Sequence, residues 1–476
     1  MKRKALILVL AAVLAVTLAS PLSAGKKRPH PSKLKYPPIE ITTPDVIDLT
    51  FDNGLEGFLI EDHEIPVVNI VLLIKAYYPE GEKYGLNDMA AWVMRNGGTA
   101  DWPSDKLNDE LEFLAASIEI SGGNLATYAS FDCLKKDLDQ ILGIFADIVM
   151  NPAFPEDKVE MRRNTTIESI RRKNDQPRSV SRREFFKLIY KGHPFGLEST
   201  IETVKAITRD DLVEFHGKYF YPNNAIIGIS GDVTRDEIVG KLNEVFAGWA
   251  PAEVTIPEVP PVPEMPGKNY NYAYKDINQA YIMLGHLGIN SENPDRCAIN
   301  IMNFILGGGS FTSWITERVR SDEGLAYSTG SRYGSSAWAK GAFYAYAQTK
   351  AEAYARAMQL IIEQIERMRN EGPTEEEVQK AVDSYINGQV FDYESKDAVV
   401  RRLVQLKFEG RALDTPEKDM EAYAKITVAD INRVAKQYLH PDNFTIFVLG
   451  DEAQFDRPVS DFGDVNVIVL EEAKDE

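Results

Sequence analysis

Two stretches decide how this chain is read: ITRDDLVEFHGKYFYPNNAIIGISGD at residues 207–232 and ITVADINRVAKQYLHPDNFTIFVLGD at residues 426–451. A shift of 219 places Thr208 on Thr427, Asp211 on Asp430, Tyr219 on Tyr438 and Pro222 on Pro441. The same shift places Asn224 on Asn443, Gly231 on Gly450 and Asp232 on Asp451. Chance matches two or three such positions, not seven in one register. Both copies carry the same local physics. A Thr stands as a helix N-cap before an amphipathic helix. Pro-Asn or Pro-Asp makes a turn. A β-rich run follows (Ala225 to Ser230; Phe444 to Leu449) and ends at Gly-Asp.

The shift also carries Asp157-Lys158-Val159 onto Glu376-Glu377-Val378, each predicted to open a long helix. The chain therefore divides into two similar domains of roughly 200 residues each, 45–250 and 267–476. Between them, 251–266 holds Pro257, Pro260, Pro261 and Pro263 and reads as a stiff linker. Within a half, strands and helices mix without strict βαβ alternation. Residues 46–60 and 67–77 alternate like a hairpin, and helices are expected near 85–95, 104–116 and 131–149. The fold class expected is α+β: two repeated domains, each an antiparallel-rich sheet covered by helices.

Composition narrows the function. Of 476 residues, 44% are hydrophobic and 26% charged, which are globular values. The 53 basic and 72 acidic residues leave a net charge of −19, so no nucleic-acid partner is expected. Lys2, Arg3 and Lys4 precede an apolar run from Ala5 to Ala19, and Pro21-Leu22-Ser23-Ala24 offers a small-residue cleavage site. That pattern reads as a signal peptide over 1–24, followed by a basic, Pro-rich extended leader over 25–44. The run falls short of the roughly 20 residues that span a bilayer, so no membrane contact is expected after cleavage. Cys133 and Cys297 fall in different halves and read as two buried free thiols. The six His include no pair at i, i+4.

Several motifs, in order, resemble the insulinase/pitrilysin (inverzincin) metallopeptidase family, which includes the mitochondrial processing peptidase. They are Asn53-Gly54-Leu55 with Glu61-Asp62-His63 and Pro66, Gly85-Leu86, Gly98-Thr99, Asn151-Pro152-Ala153-Phe154 and Gly192-His193-Pro194-Phe195-Gly196 in the first half. In the second half they are Leu306-Gly307-Gly308-Gly309 and Glu323-Gly324-Leu325-Ala326-Tyr327-Ser328. The resemblance spans nearly the whole mature chain.

It also exposes a departure. The family's zinc helix reads Gly-Leu-x-His-x-x-Glu-His, where two His and a downstream Glu hold zinc and the motif Glu activates water. Aligned on Gly85-Leu86, the first His falls on Asp88, the Glu on Ala91 and the second His on Trp92, with the downstream ligand on Glu168. Asp88 and Glu168 read better as solvated helix residues than as ligands. No zinc is expected in this chain. A second constellation is kept: Arg320 and Tyr327 have the spacing of an Arg/Tyr pair that reaches the substrate in this family. Arg suits a peptide carbonyl or carboxylate, and Tyr suits a developing oxyanion; the plainer reading is a surface Arg and a packing Tyr. Where the family often has Ser-Arg-Leu, this chain has Ser313-Trp314-Ile315. The Gly307-Gly308-Gly309 run lacks a phosphate-loop ending and reads as a flexible turn at a domain contact. The resemblance further implies a peptide-binding edge strand, matched here by Ala116 to Ser121 with Ser117, Glu119 and Ser121 on one face. An ordinary inner strand fits that pattern equally well.

These expectations converge on the non-zinc subunit of a heteromeric, periplasmic metallopeptidase. Its partner would be a homologous chain with an intact zinc motif, and its substrate a peptide. The alternative is a catalytically inactive homodimer that binds peptides or scaffolds an assembly, as the cytochrome complex core proteins do. An independent hydrolase has no Gly-x-Ser-x-Gly elbow to support it.

Overall fold

The computed structural model describes residues 44–77, 83–264 and 267–471. The expected signal peptide, and the leader up to residue 43, lie outside the described residues. Among the described residues no helix is long and apolar enough to cross a membrane.

The first half runs β1 (Ile47–Thr50), β2 (Glu56–Glu61), β3 (Val67–Lys75), α1 (Leu86–Gly97), α2 (Ser104–Leu114), β4 (Ser117–Gly122) and β5 (Ala126–Leu134). It continues α3 (Leu138–Met150), α4 (Glu156–Arg171), α5 (Pro177–Ile189), α6 (Ile201–Ala206), α7 (Arg209–Tyr219), β6 (Ala225–Gly231) and α8 (Arg235–Val245). Its sheet has the order β1-β2-β6-β3-β5-β4, antiparallel except between β2 and β6. The expected hairpin is smaller than 46–77. β1 and β2 form it alone, and β6 enters between β2 and β3. The helix expected over 131–149 begins only at Leu138, because Ala126–Leu134 pairs along the whole of β3.

The second half runs β7 (Asn269–Tyr274), β8 (Gln279–Leu287), a two-residue β9 (Ile289–Asn290), α9 (Arg296–Asn303), an irregular helical stretch through residue 322, and β10 (Ala326–Tyr333). It continues β11 (Ser335–Ser336), β12 (Ala342–Lys350), α10 (Tyr354–Asn370), α11 (Glu375–Gly388), α12 (Lys396–Phe408), α13 (Thr415–Tyr423), α14 (Val428–Tyr438), β13 (Thr445–Gly450) and β14 (Val465–Ile468). Its sheet order is β10-β12-β8-β13-β7-β14, with β13, β7 and β14 parallel. The repeat is written into the caps. Thr208 and Thr427 each accept from the N–H three residues on, and Asp211 and Asp430 reach back to the Thr N–H. The shift of 219 also superposes α5 on α12 residue for residue.

Those two helices are exchanged. Val180, Phe185 and Ile189 of α5 pack on Met283, Tyr344 and Phe447 of the second sheet. Val399, Val400, Val404 and Phe408 of α12 pack on Phe58, Val71 and Ile226 of the first. The face opposite carries each domain's own helices and main core. A strand buried on both faces needs no alternation, which is why β6 and β13 are continuous apolar runs, buried throughout. The Pro-rich segment follows the same boundary: Val254 and Ile256 pack on the first core and Val262 on the α5 cluster. Cys133 and Cys297 are buried and unpaired, and burial pushes their thiols up to about 12 and about 11.

Phe185 is fully buried beneath the second sheet, so Phe185→Ala is expected to cost about 3–5 kcal/mol. Urea unfolding should show it as a lower midpoint of one transition shared by both domains. A lower midpoint in one of two separate transitions would mean that the exchanged helices do not couple the halves.

Candidate functional site

α1 starts after Gly85, whose φ of 98° takes the chain into the helix. Leu86, Met89, Ala90, Val93 and Met94 turn to the core and Asp88 turns outward. The helix lies tight against the β4–β5 hairpin: a Cβ on Gly122 would sit 2.4 Å from the Asn87 carbonyl oxygen. Asn87 donates to the carbonyls of Gly123 and Ala126 and accepts from the Thr127 hydroxyl, so the end of the hairpin is tied to the first turn of α1.

The exposed face of α1 is closed by a cation. Arg162, on α4, donates to the Asp88 carboxylate at 2.6 Å and lies 5.4 Å from the centre of the Trp92 ring. Ala91 is buried and has no side-chain donor or acceptor. Glu168 does not join this group. It stands six residues beyond Arg162, about 240° around the helix, and pairs with Arg171 on its exposed face. Zinc does not fit this set: the one nearby carboxylate is engaged by a guanidinium, the indole has no lone pair to give, and the third position is a methyl group. Among the described residues no cluster of three His, Cys, Asp or Glu could hold a metal.

β4 is the edge strand of its sheet. Ile118 and Ile120 point inward and Glu119 and Ser121 outward, while Ser117 hydrogen-bonds the Asp132 carboxylate across the ladder. Arg95 of α1 donates to the Ile118 carbonyl, so one acceptor of the strand is already taken.

Arg320 and Tyr327 are brought together. The register of β10 slips between Ala326 and Ser328, leaving Tyr327 unpaired on a bulge with 77% of its surface exposed. The Arg320 guanidinium lies 5.3 Å from the Tyr327 ring and 4.6 Å from that of Phe311, which is also exposed. Its neighbour Arg318 pairs with Glu323, whereas Arg320 has no carboxylate partner among the described residues. A cation held between two rings in this way keeps its N–H groups free for a carbonyl or carboxylate. Ser313, Trp314 and Ile315 are buried, with Trp314 donating to Glu377 beneath Arg367. The glycine run is not a flexible turn. Gly307 is helical and lies against β10 of its own domain, where a Cβ would meet the Ser331 nitrogen at 2.4 Å. Arg162 and Phe311 escape a reading from sequence. Nothing local ties Arg162 to α1, and Phe311 is marked only as an aromatic beyond the glycines.

Replacing Asp88, Ala91 and Trp92 with the family's His, Glu and His should restore little zinc affinity while Arg162 remains. The triple variant D88H/A91E/W92H is expected to bind zinc about tenfold or more weakly than the same variant carrying R162A, since a like charge within a few ångströms opposes the ion. Competition with a chromophoric chelator measures both, and equal affinities would show that Arg162 does not oppose the metal.

The family model described as Insulinase (Peptidase family M16) matches residues 68–201, and the one described as Peptidase M16 inactive domain matches residues 206–385. An uncharacterized zinc protease of Mycobacterium leprae is 26% identical over 343 residues, 69% of this chain and 76% of its own length. A non-peptidase homolog of Helicobacter pylori, YmxG, is 22% identical over 399 residues, 82% of this chain and 91% of its own. Among solved structures, a peptidase M16 inactive domain from Pseudomonas fluorescens has a TM-score of 0.78 at 23% identity, covering 87% of this chain and 99% of that one. The periplasmic protease PqqL of Escherichia coli has a TM-score of 0.74 at 14% identity, covering 87% of this chain and 46% of that one. With the fold repeated in both halves and both family models matched in order, the chain belongs to the insulinase (M16) peptidase family.

Proposed function

We propose that this chain is the non-zinc subunit of a two-chain M16 peptidase, exported to the periplasm, which lends Arg320 and Tyr327 to the site of a zinc-bearing partner. The observation that carries this reading is the contrast between two surfaces. The α1 face is occupied by Arg162, whereas Arg320 is presented between Phe311 and Tyr327 with no carboxylate to neutralise it. In that role Arg320 holds a carbonyl or carboxylate of the bound peptide, and the Tyr327 hydroxyl donates to the oxygen on which negative charge develops. The edge strand β4, with Ser117, Glu119 and Ser121, offers the peptide a place to add as a further strand. The basic start and apolar run of the first 24 residues support export, and the periplasmic PqqL shares the fold.

The H. pylori relative named a non-peptidase homolog favours a second reading, in which the chain binds peptides or scaffolds an assembly as a homodimer. One experiment separates the two. The mature chain, alone and mixed with a homologue carrying an intact zinc motif, is assayed on a quenched peptide. The subunit role expects no cleavage alone, cleavage on mixing, and a loss of about 100-fold with Arg320→Ala or Tyr327→Phe. A partner equally active without this chain, or indifferent to both substitutions, would exclude that role and leave the scaffold.

A further inference from the structure

A cavity of about 430 Å³ opens between the N-terminal turns of α5 and the outer face of the second sheet. Its volume suits one or two amino-acid side chains. Arg178 and Arg182 reach it from α5 and Arg332 from β10. None of the three has a carboxylate partner among the described residues; Arg182 lies 5.3 Å from the Phe186 ring. No acidic residue lines the cavity, in a chain where acidic residues outnumber basic ones by 72 to 53.

Two further observations give this cluster the character of an anion site. α5 begins with Pro177 at its first turn, without a side-chain cap and without an acidic residue in that turn, so its positive end adds to the field of the arginines. Ser181, which lines the cavity, is 3% exposed, and its hydroxyl has no hydrogen-bond partner. A buried hydroxyl left unpaired costs free energy and adds no negative charge beside the three guanidinium groups. The walls are aromatic and firmly packed: Tyr344 lies 5.5 Å from Phe186 and 6.4 Å from Tyr346. Ser328, Ser331 and Arg332 bring the edge strand β10 to the rim, and Ser328 is the residue after Tyr327. A chain laid along β10 past Tyr327 would therefore pass the cavity mouth.

We infer that this cavity binds a carboxylate of an acidic peptide, either an Asp or Glu side chain or a free C-terminus, between Arg178, Arg182 and Arg332. The inference deepens the peptide-binding reading above and rests on it for the identity of the ligand, but it needs neither zinc nor a partner chain. Isothermal titration of the isolated mature chain tests it with short peptides: a glutamate-containing peptide amide, its glutamine isostere, and a neutral peptide with a free or an amidated C-terminus. Inorganic phosphate serves as the non-peptide probe. One of the two carboxylate peptides should bind about tenfold or more tightly than its amide counterpart, and which one does so names the source of the carboxylate. The variant R178Q/R182Q/R332Q, altered only at exposed positions, should abolish that margin. Equal binding of acid and amide, a margin that survives in the variant, absence of peptide binding, or binding of phosphate without a peptide preference would each overturn the inference. A chain that passes here but gives no activity with a zinc-bearing homologue keeps the pocket and loses the subunit role; the converse result keeps the role and loses the pocket.

Discussion

Arg162 is the contact on which the reading of this molecule turns. Its guanidinium is held at 2.6 Å by Asp88 and lies over the Trp92 ring, so a positive charge occupies the helix face on which the resemblance to the family would place a metal ion. The replacement is self-consistent. A carboxylate left alone beside an indole would lack a partner, and a buried Glu at position 91 would need one too; the chain has Ala there. The absence of ligand side chains at positions 91 and 92 and the presence of the guanidinium act in the same direction, against a metal. One without the other would be a weakened site, whereas together they make a packed helix–helix contact.

The second domain has the opposite character. There the bulge at Tyr327 turns an aromatic ring out of the ladder, and Arg320 stays between two exposed rings while Arg318, two residues away, is neutralised by Glu323. Both domains press a helix against an edge strand at a glycine, Gly122 beside Asn87 in the first and Gly307 beside Ser331 in the second. The same scaffold thus presents two edges, of which one is next to a filled site and the other next to unpaired cations.

What the sequence made legible follows from how local each feature is. The capped helices at Thr208 and Thr427, the Pro turns and the apolar runs of β6 and β13 are set by neighbouring residues, and the shift of 219 exposes them. It extends, unforeseen, to α5 and α12. The strand order was not legible. β6 enters between β2 and β3 across more than half a domain, and the spacing of residues 46–77 suggests a hairpin because the two runs lie close in sequence. The apolar residues of α3 follow β5 almost at once, so residues 131–137 read as the start of that helix although the strand runs to Leu134. At the site, Asp88, Ala91 and Trp92 were identified by a motif held within one helix. Glu168 lies at a long alignment offset from that helix, and its carboxylate is exposed and paired with Arg171, as a solvated helix residue would be. Arg162 carries no local signal, since its role comes only from the packing of α4 on α1.

The most direct measurement is the zinc content of the purified mature chain after dialysis against micromolar free zinc, paired with anomalous diffraction at the zinc edge from its crystals. A site closed by Arg162 gives far less than one zinc per chain and no anomalous peak near residues 88–92. A stoichiometric ion coordinated there by this chain's own side chains would contradict the claim.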